Sequence, residues 1–533
     1  MRLNPFSRHV TWRSRALDLA LGALAVLGFA PFGLWPLTLL SFAALYVRLA
    51  GHTLPKQGWS SGFWFGVGYF AFGLFWITSA FVERGPEYIP FVPPLVGGLV
   101  VLLSLFWAWA GRQVVATRAR GPWAVLLFGS LLFLAEWLRG HLFGGFPWNL
   151  PAHGLSSTPL MMQGASVVGA YGLSYLLLLA AGGLGQAWVM RRGSWWPGAA
   201  VGFGTLLGMA GFGALRLFDT PVGAQSNLPD VRLRLVHVPF RQSEMMDPRG
   251  AVALTNRYFE TTLSEPLDGI THIVWPEGAV RGVSMDDLGF LSVWPSVLEN
   301  PPHFLFSSIR VEETPVEGER FFNSAVAVTY PDRYPQVAAW SDKRRLVPMG
   351  EVVPFSETLS RFGFEAIAAS FTPAPDKRNV TYPGLPPASV QICYEIIFGG
   401  LTEGSPAFIL NQSNDAWFGR TTGPAQHAAI ARFRAVEEGV PLVRAAANGE
   451  SGVVDAYGRW IARMGPDTED VLDVAVPAHS VSTPFRREVH GILLLISLLA
   501  WLSVYLVGRM GARGAQTPDS GTAPGGASGG ADR

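Results

Sequence analysis

Cysteine is nearly absent: Cys393 is the only one in 533 residues. A single thiol excludes an intramolecular disulfide, so it cannot staple the fold. Charge is scarce as well, at 15% of residues against 49% hydrophobic, with a mean hydropathy of +0.27. A soluble domain carries about 25% charge, so this composition belongs to a membrane protein. Net charge is +1, which gives nucleic acid no electrostatic handle. No metal-ligand cluster and no Gly-x-Gly-x-x-Gly segment with a following helix appears, so no metal and no cofactor are expected. Acids are almost missing between residues 16 and 215, whereas 230–480 has the balance of a soluble domain.

Long apolar runs fill that acid-poor stretch. A helix needs about 20 apolar residues to cross a hydrocarbon core. Spans are expected near 16–31, 34–50, 59–82, 91–111, 122–139, 162–190, 196–214 and 488–508, about eight in all. The start is basic and apolar, as in a signal peptide, but no small-residue cleavage site precedes a polar start, so it is read as the first span. Arg2, Arg8, Arg13, Arg15, Arg48, Lys56, Arg112, Arg118, Arg120, Arg191, Arg192, Arg509 and Arg513 fall on one side of these spans, and only Arg84 and Arg139 on the other. The positive side is the inside. The expected units are 1–215 with seven spans, an outside domain at 216–487, an eighth span at 488–510, and a disordered cytoplasmic tail at 511–533.

Within the outside segment, short apolar strands alternate with helices, which predicts an α/β domain. Strands are expected near 231–238, 271–276, 303–309, 322–330, 336–342, 388–393, 407–412, 441–447, 451–456 and 471–477, and helices near 248–265 and 424–438. Three strand edges carry chemistry. His272-Ile-Val-Trp-Pro delivers Glu277, Ser341-Asp leads to Lys343, and Ala388-Ser-Val-Gln-Ile delivers Cys393. A thiolate attacks a carbonyl carbon, a carboxylate moves the proton, and an ammonium stabilises the oxyanion. Singly, each segment reads as core or as a solvated face; together they make an acyl-transfer site. Glu277 needs a raised pKa, which burial beside Trp275 would supply.

In this order Glu277, Lys343 and Cys393 resemble the Glu-Lys-Cys triad of the nitrilase superfamily. Phe321-Phe-Asn-Ser-Ala, Asn411-Gln-Ser-Asn-Asp-Ala-Trp-Phe-Gly419 and the run from Gly423 to Gly439 extend the match. With the flanking apolar segments, residues 15 to 510 resemble the bacterial apolipoprotein N-acyltransferase family.

The resemblance implies an α-β-β-α sandwich and ping-pong chemistry at Cys393. An acyl chain passes from a phospholipid to the α-amine of a diacylglyceryl-cysteine on a lipoprotein, in the bacterial inner membrane with the catalytic domain in the periplasm. A monomer is expected. Glu351 holds the lysine, assists proton traffic or forms a plain salt bridge; Tyr394 N–H serves the oxyanion and Glu395 fixes the turn. Asn414, Asp415 and Trp417 shape the pocket, and Trp148 lines a lipid entry or anchors at the interface. Glu136 is read as structural, with Arg139 or a hydroxyl as partner; Arg432 and Arg434 are read as salt-bridged helix residues. Phe355 to Phe371 is a candidate lid. The chain departs from the family at His237-Val-Pro-Phe240, where Gln-Gly-Asn-Ile is usual, at Met246 in place of a tryptophan, and at Gly278 in place of a hydroxyl residue. A membrane-tethered nitrilase-type amidohydrolase passes through the same thioester and stays open, whereas the presence of all three chemical residues argues against a non-catalytic scaffold or transporter.

Overall fold

The computed structural model describes residues 11–223, 226–315, 318–352, 371–375, 379–478, 480–485, 491–499 and 501–502. The candidate lid apart from Phe371, the tail after Gly511 and residues 488–490, 500 and 503–508 of the last expected span lie outside the described residues.

The N-terminal part is helical: α1 (Trp12–Val26), α2 (Trp35–Ala50), α3 (Pro55–Gly73), α4 (Ile77–Arg84), α5 (Val92–Ala116), α6 (Pro122–His141), α7 (Ala165–Val189) and α8 (Trp196–Leu217). Proline opens the first turn of α2, α3, α5, α6 and α8, where its missing N–H breaks no bond. Among the described residues, four stretches, containing α5, α6, α7 and α8, are long and apolar enough to cross a membrane, and α3 with α4, bent by 47°, makes a fifth by length and composition. The expected count of eight is not reached on those grounds. The first helix has 15 residues and α2 has 16, and only 491–499 and 501–502 of the last span are described.

Small residues let these helices close on one another. A Cβ on Gly62 of α3 would stand 2.2 Å from the Trp107 carbonyl oxygen of α5, and one on Gly68 would stand 2.0 Å from that of Leu19 in α1. Asp18, buried in α1, pairs with Arg48 of α2 at 2.7 Å and accepts from Ser61 of α3 at 2.8 Å. One ion pair thus ties three helices.

Among the described residues, the part that follows α8 is built on two sheets. Its strands are β1 (Asn227–His237), β2 (His272–Val274), β3 (His303–Thr314), β4 (Gly318–Thr329), β5 (Gln336–Asp342), β6 (Ala388–Ile392), β7 (Phe408–Asn414), β8 (Leu442–Ala447), β9 (Ser451–Val454), β10 (Trp460–Met464) and β11 (Asp470–Pro477). One mixed sheet runs β11-β1-β2-β3-β4-β5, the other β10-β9-β8-β7-β6. Leu233, Leu235, Val274, Leu305 and Ala327 of the first sheet meet Val390, Ile392, Leu410, Val443 and Ala445 of the second. On the outer face of the first sheet, Ile273, Trp275, Phe304 and Phe306 pack with Leu254 and Tyr258 of α9 (Pro248–Thr262). On the outer face of the second, Ile409, Leu442 and Val454 pack with Ile430, Phe433 and Val436 of α10 (Gly423–Glu438).

The polar side of α10 turns to the membrane helices, not to solvent. Gly169, at φ +65, interrupts α7 and frees the Ala170 N–H, which Glu437 accepts at 2.7 Å. Arg434 pairs with Glu437 as expected, at 3.1 Å. Arg432 corrects its expected salt bridge: it donates to the carbonyls of Gly458 at 2.7 Å and Ser156 at 3.1 Å.

Candidate active site

Parallel strands open their functional edge at the C-terminal end, and β6, β7 and β8 do so together. Cys393 follows β6 directly and adopts φ +47, a left-handed conformation that a non-glycine residue holds only when its surroundings impose it. The imposing group is Glu395. Its buried carboxylate accepts the N–H of Ile392 at 2.8 Å, of Arg344 at 2.8 Å and of Arg345 at 3.2 Å. One side chain therefore locks the cysteine turn to the loop that carries Lys343.

Lys343 follows β5 and is buried. Its Nζ lies 2.8 Å from Glu351 Oε1 and 3.2 Å from Glu277 Oε1. Burial alone would lower this ammonium, but Glu277, Glu351 and Cys393 outweigh it and hold it above the ordinary lysine range. Burial, reinforced by the Glu277 charge, pushes the Cys393 thiol well up, and Lys343 pulls against that. The resting site therefore holds a neutral thiol beside a charged lysine and needs a base to generate the thiolate.

Both carboxylates are held by more than the lysine. Asn323 Nδ2 donates to Glu277 Oε1 at 2.7 Å and to Glu351 Oε1 at 3.0 Å. Asn414 N donates to Glu277 Oε2 at 3.0 Å, and Val347 N to Glu351 Oε2 at 2.8 Å. Asn323 lies in the Phe321-Phe-Asn-Ser-Ala run, which carries no catalytic signal of its own; its place on β4, paired with β5, brings it between the two acids. Trp275 is not part of this arrangement. Its ring packs among Tyr258, Phe259, Trp294 and Phe304, and its indole donates to Thr262.

The departure at Gly278 has a steric reason. Its φ is +82, and a Cβ there would stand 2.6 Å from Asn414 Nδ2. That nitrogen already donates to Gln242 Oε1 at 3.0 Å. At Met246 the side chain ends a short helix and is 39% exposed.

The remaining expected residues surround this centre. Tyr394 OH donates to the Gly145 carbonyl at 3.2 Å, joining the cysteine turn to the loop after α6. Trp148 on that same loop is buried, packs at a tilt against Trp76 at 4.4 Å, stacks on His427 at 5.3 Å, and donates to Gln426 at 2.8 Å. It is a buried joint between the membrane part and the domain, not an interfacial anchor. Trp417 lies under the Arg84 guanidinium, 5.6 Å from the ring centre. Among the described residues, no group of three or more His, Cys, Asp or Glu side chains is placed to hold a metal ion.

Known proteins match both parts. Residues 21–183 match the apolipoprotein N-acyltransferase N-terminal domain, and residues 299–483 match carbon-nitrogen hydrolase. The second match contains Lys343, Glu351 and Cys393 and begins after Glu277. The chain is 30% identical over 503 residues to the apolipoprotein N-acyltransferase of Rhodopseudomonas palustris, covering 89% of this chain and 92% of that one. It is 33% identical over 501 residues to that of Caulobacter vibrioides, at 90% and 92% coverage. With the relative from Brucella melitensis, identity is 31% over 518 residues, at 92% and 95%. The chain belongs to the apolipoprotein N-acyltransferase family.

Proposed function

We propose that this N-acyltransferase works through a thioester on Cys393. Glu277 takes the thiol proton, and the thiolate attacks the ester carbonyl of a phospholipid acyl chain. Lys343 and the Tyr394 N–H face the oxyanion of the tetrahedral intermediate. Glu277 returns the proton to the leaving alkoxide, which departs as a lysophospholipid. The α-amine of a diacylglyceryl-cysteine then attacks the thioester. Glu277 takes the amine proton and passes it to the departing sulfur, restoring the thiol with an amide formed. Glu351 keeps Lys343 in place throughout.

The observation that carries this reading is Lys343 shared between Glu277 and Glu351 and acting on the Cys393 thiol, in a domain joined to the membrane helices. Acyl chains then reach the thiol without crossing water, which would cost about 0.8 kcal/mol per exposed CH₂. The reading includes eight spans, a catalytic unit at 216–487 on the periplasmic side of the inner membrane, and a monomer. Trp148, Asn414 and Trp417 border the substrate path.

The test uses solubilised full-length protein, a phospholipid labelled in one acyl chain and a diacylglyceryl-peptide. Wild type should move label to the peptide amine, while Cys393→Ala, Lys343→Met and Glu277→Gln should fall by about 100-fold or more. Label transfer by Cys393→Ala at the wild-type rate would rule the reading out.

A further inference from the structure

A second ionisable cluster adjoins Cys393, and the chemistry above leaves it unused. The parallel register sets Ile392 opposite Gln412, so Cys393 and Ser413 follow side by side at one sheet edge. Ser413 is fully buried, and its hydroxyl donates to Asp415 Oδ1 at 2.6 Å. Asp415, also fully buried, takes Arg444 Nη2 on Oδ2 at 2.6 Å and His427 Nδ1 on Oδ1 at 2.9 Å. Burial works to raise this acid, but Arg444, His427 and Ser413 outweigh it and hold it at about 2, so it stays a carboxylate. Burial pushes His427 down, so its ring is neutral and Nδ1 carries the hydrogen given to Asp415. A carboxylate with three donors can release one.

We propose that Ser413 is a positioning residue for the nucleophile: its hydroxyl accepts the Cys393 S–H in the resting site and turns from Asp415 to donate to the sulfur once the thiolate forms. A hydroxyl has one hydrogen and two lone pairs, so both arrangements satisfy it. The thiol proton itself goes to Glu277, and Ser413 keeps its own. Arg444 and His427 hold Asp415 while that hydrogen is away. Burial and four groups then set the thiol: burial, Glu277 and Asp415 raise it, while Lys343 and the Ser413 hydroxyl lower it. The inference rests on Cys393 as the nucleophile.

With a single cysteine, alkylation of the full-length solubilised protein reads Cys393 alone. Below the thiol midpoint, rate follows thiolate fraction, so a shift of about one unit is a tenfold change. Ser413→Ala should slow alkylation about tenfold between pH 7 and 9, by the same factor for iodoacetamide and for the bulkier N-ethylmaleimide. Ser413→Thr, which keeps the hydroxyl, should restore the rate. Equal rates for Ser413→Ala and wild type, or a factor that differs between reagents, would overturn the proposal. Should Ser413→Ala fail to fold, Ser413→Val decides: it matches Ser413→Thr in shape and lacks only the hydroxyl, so alkylation about tenfold slower than that of Ser413→Thr is expected, and equal rates contradict the proposal. Alkylation reads the thiol and not turnover. A negative result here therefore leaves the nucleophile reading standing, and label transfer by Cys393→Ala would sink that reading separately.

Discussion

Arg139 grips Glu136 with two bonds, Nε to Oε1 at 2.7 Å and Nη2 to Oε2 at 2.6 Å, and both side chains are buried. The acid takes a third donor from the Trp107 indole at 2.7 Å. The remaining Arg139 donors reach the carbonyls of Phe146, Trp148 and Asn149 at 2.7, 3.0 and 3.3 Å. A buried pair in an apolar helix thus holds the loop that carries Trp148 against His427.

Breaking that pair from one side leaves an uncompensated buried charge. Arg139→Met should lower stability by about 3–5 kcal/mol, read as the thermal midpoint of the solubilised protein. Adding Glu136→Leu should recover part of the loss. Full recovery would mean that the three loop carbonyls do not need the guanidinium.

Asn323 donates to both Glu277 and Glu351. Asn323→Ala frees both carboxylates to drift from Lys343, and a displacement of about 1 Å is worth roughly 100-fold in rate. Transfer activity should fall by that order with stability little changed. Asn323→Asp places a third carboxylate against the other two and should fall further.

Glu395 supplies acceptors for three backbone N–H groups. Glu395→Gln turns one acceptor oxygen into a donor, so at least one buried N–H loses its partner, at about 1–3 kcal/mol. The cysteine turn and the Lys343 loop should then separate, with kcat reduced about 100-fold. Unchanged activity would show that the turn is held by other contacts.

His237 and His272 are buried, and burial brings each down to about 4. An unfolded histidine titrates near 6.5. Between about pH 6.5 and pH 4 the unfolded chain therefore binds protons that the folded chain refuses, so stability is full above this window and is lost as pH falls through it. Each histidine contributes on the order of 3 kcal/mol to that loss. His237→Gln should flatten the decline in thermal midpoint between pH 7.5 and 4.5, and a decline as steep as wild type would exclude His237 as a cause.

Much of this was legible in the sequence. Strand runs end next to Glu277, Lys343 and Cys393, and an edge residue is delivered by its own strand, so local pattern suffices. All ten expected strands and both expected helices of the α/β domain appear, within a few residues. The edge strand Trp460–Met464 is not legible in the sequence, since five residues that include Arg463 and follow Arg459 carry little periodic signal. Asp18 was passed over because its partner Arg48 lies a helix away. Arg234 reads as a solvent residue of an alternating strand, yet it is buried, pairs with Asp473 and donates to the carbonyls that follow α9. Ser413, Asp415 and His427 meet only through strand register and helix packing, which no local pattern encodes.

The central claim is a covalent acyl-enzyme, and intact mass tests it most directly. The purified protein is incubated with a phospholipid and no acceptor and then weighed. The account predicts an acyl-sized increment on wild type, absent from Cys393→Ala and discharged when a diacylglyceryl-peptide is added. Folded wild type with an intact thiol and no increment, while still transferring acyl chains to peptide, would contradict it.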